Sequence, residues 1–457
     1  MPAIPEPTTK LDSQSITDSV AESPRGNHSR IKAGFSLLAG QGAREGYLAA
    51  VDQGLISLAN FLATLILARS VTPTELGVYG VGFTSLRLIR AIQEGLTIQP
   101  VNTFGAGMDE ARFRNYASHT SLIQSGLAIL SAAGAAVLGW MLIATGNDTA
   151  GPAVLALWFP FLTWQLQEYL RRLLYTRGQI LNAVVNTLLA NAVRIGLMFW
   201  WLRSGSLTGI SGLEAIAWGS FVALLPGIWQ TRHYWSLSLK GLPETWRQNV
   251  DFGRWVVGSQ IANWVSVEFY PVLTAGMVNF AAAGAYRALQ NLVAPIHLLL
   301  RATDTFLTPR ASRVFSKGGW KPLARTIRLT YILSGIPIVG ILVLAGIFRT
   351  PLLNLLYGSA YVEYADGLIW MALFYLLWFA YWPLQTAFKA TRTSRPIFIA
   401  NLAAILIMFT VGIWMIQKWG VYGTIAGQGL NSLVVAVILW WSWINLWRKN
   451  GTAPDQT

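Results

Sequence analysis

The stretch Gly46–Gly80, GYLAAVDQGLISLANFLATLILARSVTPTELGVYG, decides the fold class. From Gly46 to Ala68 its only charge is Asp52. The apolar residues cover every face of a helix rather than one stripe, the pattern of a segment surrounded by lipid or protein. The run also has the ~20 residues needed to cross a hydrocarbon core. Arg69 closes it, a polar turn containing Pro73 follows, and a second apolar run begins at Leu76. The two runs predict an antiparallel hairpin of membrane-spanning helices.

The same alternation continues outward. Apolar runs lie at 46–69, 76–100, 118–143, 153–170, 180–202, 213–231, 255–276, 281–308, 329–347, 366–388, 396–416 and 420–446. The predicted fold class is an all-α polytopic membrane protein of about 12 transmembrane helices. Twenty-five of the 34 Lys and Arg residues fall in the two tails and the even-numbered loops. The odd-numbered loops hold only Arg69, Arg203, Arg349 and Lys418. Loops kept in the cytoplasm retain Lys and Arg, so this asymmetry places both termini in the cytoplasm. The expected location is the bacterial cytoplasmic (inner) membrane, crossed many times.

Composition agrees. Charged residues make up 12% of the chain, against about 25% in soluble domains. The net charge of +14 is therefore mostly an orientation signal and gives no reason to expect a nucleic-acid partner. A basic cytoplasmic face does suit anionic membrane lipids. Many of the 21 Trp residues sit near span ends, where interfacial belts account for them. With no Cys and four scattered His, disulfides, thiol chemistry and a metal site are not expected. No cofactor motif is present either.

Residues 1–45 read as a cytoplasmic, mostly disordered tail, rich in Pro, Ser and Thr up to Arg30 and lacking the apolar core of a signal peptide. Residues 447–457 read as a cytoplasmic C-terminal tail. Between them the chain repeats itself. Leu76-Gly77-Val78-Tyr79 opens the second span, and Ala283-Gly284-Ala285-Tyr286 opens the eighth. Leu166-Gln167 and Leu384-Gln385 end the fourth and tenth, with Arg177 and Arg395 at the same offset from the Leu. A six-span register means a parallel repeat: bundles at 46–231 and 255–446, a cytoplasmic linker at 232–254, and a central cleft between them. Alternating access is the usual consequence of such a repeat.

Charges inside spans are costly and face protein or water. Arg87, Arg90 and Glu94 lie on one face of the second span. On this spacing Glu94 neutralises Arg90 and leaves Arg87 as a net cation. The functional reading is a cationic wall for phosphate, to which the guanidinium fork is suited. The alternative is a buried pair plus an arginine snorkelling to one interface. Arg194 in the fifth span is a further cavity candidate. Asp52 and Glu268, in the first span of each half, are candidates for ion coupling, with bundle salt bridging as the alternative. Arg301 and Asp304 read as a structural pair, and Arg287 as a snorkelling residue. No G-x-x-x-x-G-K-[ST], G-x-S-x-G or H-E-x-x-H run occurs. No external loop is large enough for a sugar-processing domain, so an enzyme is not expected.

Asp52-Gln53-Gly54-Leu55 and Ala68-Arg69-Ser70-Val71-Thr72-Pro73-Thr74-Glu75-Leu76-Gly77-Val78-Tyr79 resemble the opening of polysaccharide flippases. Gly284-Ala285-Tyr286-Arg287-Ala288-Leu289-Gln290 and Pro309-Arg310-Ala311-Ser312-Arg313 resemble the two ends of their eighth span. The topological resemblance covers residues 46–446. It points to the polysaccharide-transport (Wzx-like) branch of the multidrug/oligosaccharidyl-lipid/polysaccharide (MOP) flippase superfamily. The resemblance implies translocation of an isoprenoid-pyrophosphate-linked oligosaccharide from the cytoplasmic to the outer leaflet, in O-antigen, capsule or exopolysaccharide biosynthesis. It also implies a polysaccharide polymerase and export machinery as partners. Arg87, Arg90, Glu94 and Arg194 would then line the substrate cavity. An ion-coupled multidrug exporter of the same superfamily is the alternative, kept open by the aromatic residues of the tenth span. A membrane glycan polymerase or ligase ranks third.

Overall fold

The computed structural model describes residues 41–450 apart from 237, 392 and 394. It separates into two units, residues 1–49 and 50–457. Of the first, only the helical residues from 41 on are described. The expected tails lie largely outside the described residues, as do the side chains of Arg301 and Asp304.

Among the described residues the chain is helical and has no strand. Helix α1 (Gln41–Ser70) is followed by α2 (Pro73–Gln93), which runs on through a π-turn (Glu94–Ile98) into Gln99–Phe104. Next come α3 (Glu110–Ala144), α4 (Trp158–Thr176), α5 (Ile180–Arg203) and α6 (Gly209–Thr231). The second half holds α7 (Leu242–Glu268), α8 (Phe280–Leu292, resuming as Ala294–Gly318), α9 (Trp320–Ile347) and α10 (Gly367–Ala390). The last helical stretch folds back at Gly420, whose φ of 56° ends α11 (395–419) and starts α12 (421–450). The architecture is two six-helix bundles.

Local chemistry explains the helix starts. Thr72 caps α2 by accepting a hydrogen bond from the Glu75 amide at 3.3 Å, with Pro73 in the first turn, where its missing N–H costs nothing. Asp109 caps α3 through the Arg112 amide, and Asn279 caps α8 through the Ala282 amide. Thr208 and Ser211 cap α6 reciprocally.

Among the described residues seven helical stretches are long and apolar enough to cross a membrane, and one of them, 395–449, is the folded-back α11–α12 pair. The helices outside this set are α2, α4, α7 and α8. They carry the polar groups that line the interior, and this is why they fall short as apolar windows. Each still lies in a proposed span, because its polar residues face protein rather than lipid.

The two halves meet most closely through the repeated glycines. A Cβ on Gly77 would lie 1.8 Å from the Phe280 carbonyl oxygen, and one on Gly284 would lie 2.0 Å from that of Pro73. The helices α2 and α8 therefore touch backbone to backbone at their N-terminal ends, away from the basic loops. Small residues permit this approach in membrane bundles. Tyr79 and Tyr286, two residues beyond each glycine, are fully buried in the largest apolar cluster, together with Leu67, Leu213, Tyr357 and Ile425. Farther along α2, a second close contact forms with α7, where a Cβ on Gly253 would sit 2.2 Å from the Gly95 carbonyl oxygen.

Several expectations change. The fourth helix does not end at residue 170; it runs to Thr176, burying Arg171 and placing Arg172 on the cavity wall. α7 begins at Leu242, within the stretch read as a linker. Arg287 does not snorkel. Its guanidinium lies 5.0 Å from the centroid of the Phe83 ring and donates to Gln290 at 3.0 Å, because α2 packs directly over it.

Candidate functional site

A cavity of about 370 Å³ opens among α1, α2, α4, α5, α6 and α7. Its walls include Arg87, Arg90 and Glu94 from α2, Glu168, Arg171 and Arg172 from α4, Arg194 from α5 and Glu268 from α7. Neutral polar groups complete it, among them Gln53, Asn60, Asn191 and Asn263. Gly77 precedes Arg87 by ten residues, so at 1.5 Å per residue the first arginine lies ~15 Å along α2 from the α2–α8 contact.

Glu168 is the node. It is almost wholly buried and accepts from Arg171 through both oxygens, at 2.7 and 2.9 Å. It also meets Arg90 at 3.0 Å and Arg172 at 3.1 Å. The far side of Arg171 binds Asp52, which also accepts from the Tyr175 hydroxyl at 2.7 Å. The other Asp52 oxygen is buried with no hydrogen-bond partner. Trp164 borders Arg90, with the guanidinium carbon 6.0 Å from its ring centroid. Across the cavity Arg87 pairs with Glu268 at 2.5 Å. Among the described residues Arg194 has only neutral partners: it donates to Asn60 at 2.9 Å and to the Tyr79 hydroxyl, and its Nε has none.

This wiring corrects the sequence-based pairing. Glu94 does not neutralise Arg90; it accepts from Gln99 at 3.1 Å, while Arg90 turns to Glu168 on another helix. Arg87 is not left alone, since Glu268 faces it. Asp52 and Glu268 each form a bundle salt bridge, the alternative to ion coupling: one joins the α4 network and the other meets α2. The candidates Arg87, Arg90, Glu94, Arg194 and Glu268 all line one cavity, and Asp52 stands behind Arg171. Sequence reasoning missed Glu168, Arg171 and Arg172, because the basic pair reads as the start of a cytoplasmic loop. The signal was present in Glu168-x-x-Arg171-Arg172, whose i,i+3 and i,i+4 spacing puts three charges on one face.

Five arginines and three glutamates line the cavity, and Asp52 brings a fourth carboxylate into contact, so the wall is net positive. Such a wall can hold an anion with charge-assisted hydrogen bonds in a setting shielded from bulk water. Among the described residues no group of three or more His, Cys, Asp or Glu forms a metal site.

A model of a family described as "polysaccharide biosynthesis protein" matches residues 153–366, which include α4 to α9. No curated protein matches the sequence. Among solved structures, the chain is similar to an inward-facing multidrug resistance MATE-family transporter of the MOP superfamily, at TM-score 0.69 and 14% identity over 87% of this chain and 96% of that one. It is similar to the lipid II flippase MurJ in an inward closed conformation, at TM-score 0.64 and 16% identity over 86% of each chain. A MOP-superfamily transporter from Pyrococcus furiosus matches at TM-score 0.61 and 14% identity over 90% of this chain and 97% of that one. Two bundles of six helices, a polar cavity within them and these likenesses agree on the fold, which is the one these solved MOP-superfamily structures share.

Proposed function

We propose that the protein is a flippase for a lipid-linked oligosaccharide whose pyrophosphate is neutralised by the arginines of the cavity. The observation that carries this reading is the imbalance at the cavity wall: Glu168 serves three guanidiniums and Arg194 has no acid among its partners. An anion entering here finds donors already oriented by helix packing, which reduces the cost of taking its charge out of water. The polysaccharide family match over residues 153–366 points to the same substrate class, and the likeness to a lipid II flippase is consistent with a lipid-linked cargo. The isoprenoid tail stays in lipid while the headgroup crosses the cavity. In this reading the basic loops face the cytoplasm of a bacterial cell, and the sealed α2–α8 end faces outward. The protein binds and moves its substrate without bond chemistry, and a polymerase acts on the delivered unit.

A multidrug exporter would share the fold. Its organic cations would meet a net positive wall, which disfavours that reading by like-charge repulsion. The test is the lipid-linked glycan pool of a cell lacking the protein, measured separately for each leaflet. Accumulation on the cytoplasmic side, reversed by the wild-type chain, is the expected result. An unchanged pool, with altered efflux of cationic drugs, would replace the flippase reading with the exporter one.

A further inference from the structure

A second cavity, of about 210 Å³, lies in the C-terminal half between α7, α8, α10, α11 and α12. It shares Arg87, Asn263 and Glu268 with the arginine cavity, so the two adjoin at the Arg87–Glu268 pair. Their chemistry differs sharply. On α10, Phe374, Trp378 and Trp382 are spaced by four residues and form an aromatic stripe along one wall. The rings of Phe374 and Trp378 are parallel within 3°, whereas those of Trp378 and Trp382 stand at 82° with centroids 5.2 Å apart. The two indoles thus make a corner, each half-buried and bordering the cavity.

Facing this corner are six carboxamides: Asn263, Gln290, Gln385, Asn401, Gln428 and Asn431. Each carries both a donor and an acceptor, as sugar hydroxyls also do; Gln290 and Gln428 spend theirs on Arg287, Tyr286 and the Val267 carbonyl. Two buried polar atoms on the lining have no partner: Trp382 Nε1 and Asn431 Oδ1. One donates and the other accepts, the two capacities that a sugar hydroxyl combines. An organic cation fits less well. The only carboxylate on the lining among the described residues is Glu268, already held by Arg87.

We propose that this aromatic and carboxamide cavity is the sugar subsite, taking a pyranose ring against the Trp378–Trp382 corner while the attached pyrophosphate reaches the neighbouring arginines. The apolar C–H face of the ring lies on an indole, and its hydroxyls meet the carboxamides. The proposal rests on the flippase reading and adds to it a division of labour: the N-terminal half holds the anion and the C-terminal half selects the sugar.

The test uses the full-length protein in nanodiscs and two synthetic probes, farnesyl pyrophosphate and farnesyl pyrophosphate carrying one pyranose, with glucose, galactose and N-acetylglucosamine tried in turn. The wild type is expected to bind at least one sugar-bearing probe about tenfold more tightly than the sugar-free one. Trp378→Ala and Trp382→Ala are each expected to remove most of that preference, because one aromatic contact supplies roughly this factor, while affinity for farnesyl pyrophosphate stays within about twofold. The sugar-free probe reports folding in the same sample. Gln385→Leu tests the polar wall without removing a large ring, and the same loss of preference is expected. Tight binding of every probe with no sugar preference would overturn the subsite and leave the anion reading standing. Failure of the wild type to bind any pyrophosphate probe would overturn both.

Discussion

Glu168 joins three guanidiniums across α2 and α4, and its removal would leave Arg90, Arg171 and Arg172 close together in a poorly hydrated interior. Stripping one partner from a buried ion network costs about 3–5 kcal/mol. Glu168→Gln is therefore expected to lower thermal stability in detergent sharply and to reduce the amount of protein in the membrane; unchanged melting would refute a structural node. Arg194 behaves differently, since its partners Asn60 and Tyr79 are neutral and its removal strands no charge. Arg194→Met should fold normally and lose roughly ten- to hundredfold in transport, the worth of one hydrogen bond to a charged group. Wild-type transport by that variant would remove Arg194 from the substrate path. Arg87→Ala alone strands Glu268, so the informative comparison is with the double variant Arg87→Gln/Glu268→Gln, in which no buried charge is left unpaired.

The contact of α2 with α8 shows what repetition achieves at the scale of helices. Gly77 and Gly284 are matched in sequence and meet in space, each against the other helix's backbone. A methyl group at Gly77 has no room beside the Phe280 carbonyl, so Gly77→Ala must drive the two helices apart by more than about 1 Å to restore ordinary contact. The chain has no native Cys, which makes the consequence measurable. A cysteine placed at the fully buried Ala285 should be closed to a membrane-impermeant maleimide in the parent and become reactive in the Gly77→Ala background. Persistent protection would mean that this contact is not what seals the end. The helix starts are local, since Thr72-Pro73, Asp109, Thr208 and Asn279 act through their own neighbouring amides. The true extent of α4 is not. The charges of Arg171 and Arg172 imitate a loop until helices from elsewhere in the chain supply their partners.

Across the whole molecule, the charge asymmetry of the loops makes a prediction about orientation. A cysteine in place of Asp148 should label in intact cells, and one in place of Lys317 only after permeabilisation; the reverse pattern would invert the molecule. The sequence by itself determined the helical class, the number of spans and the six-span repeat, because lipid leaves the backbone no alternative to hydrogen-bonded helices and demands a fixed length of apolar residues. It also singled out the arginines of α2 and α5, since any charge within an apolar run stands out. Only the tertiary structure decided which carboxylate each arginine meets. Arg90 lies four residues from Glu94 yet pairs with Glu168, 78 positions away in the chain. Helix rotation sets those partners, and rotation follows from how all the helices pack together. No single span records it.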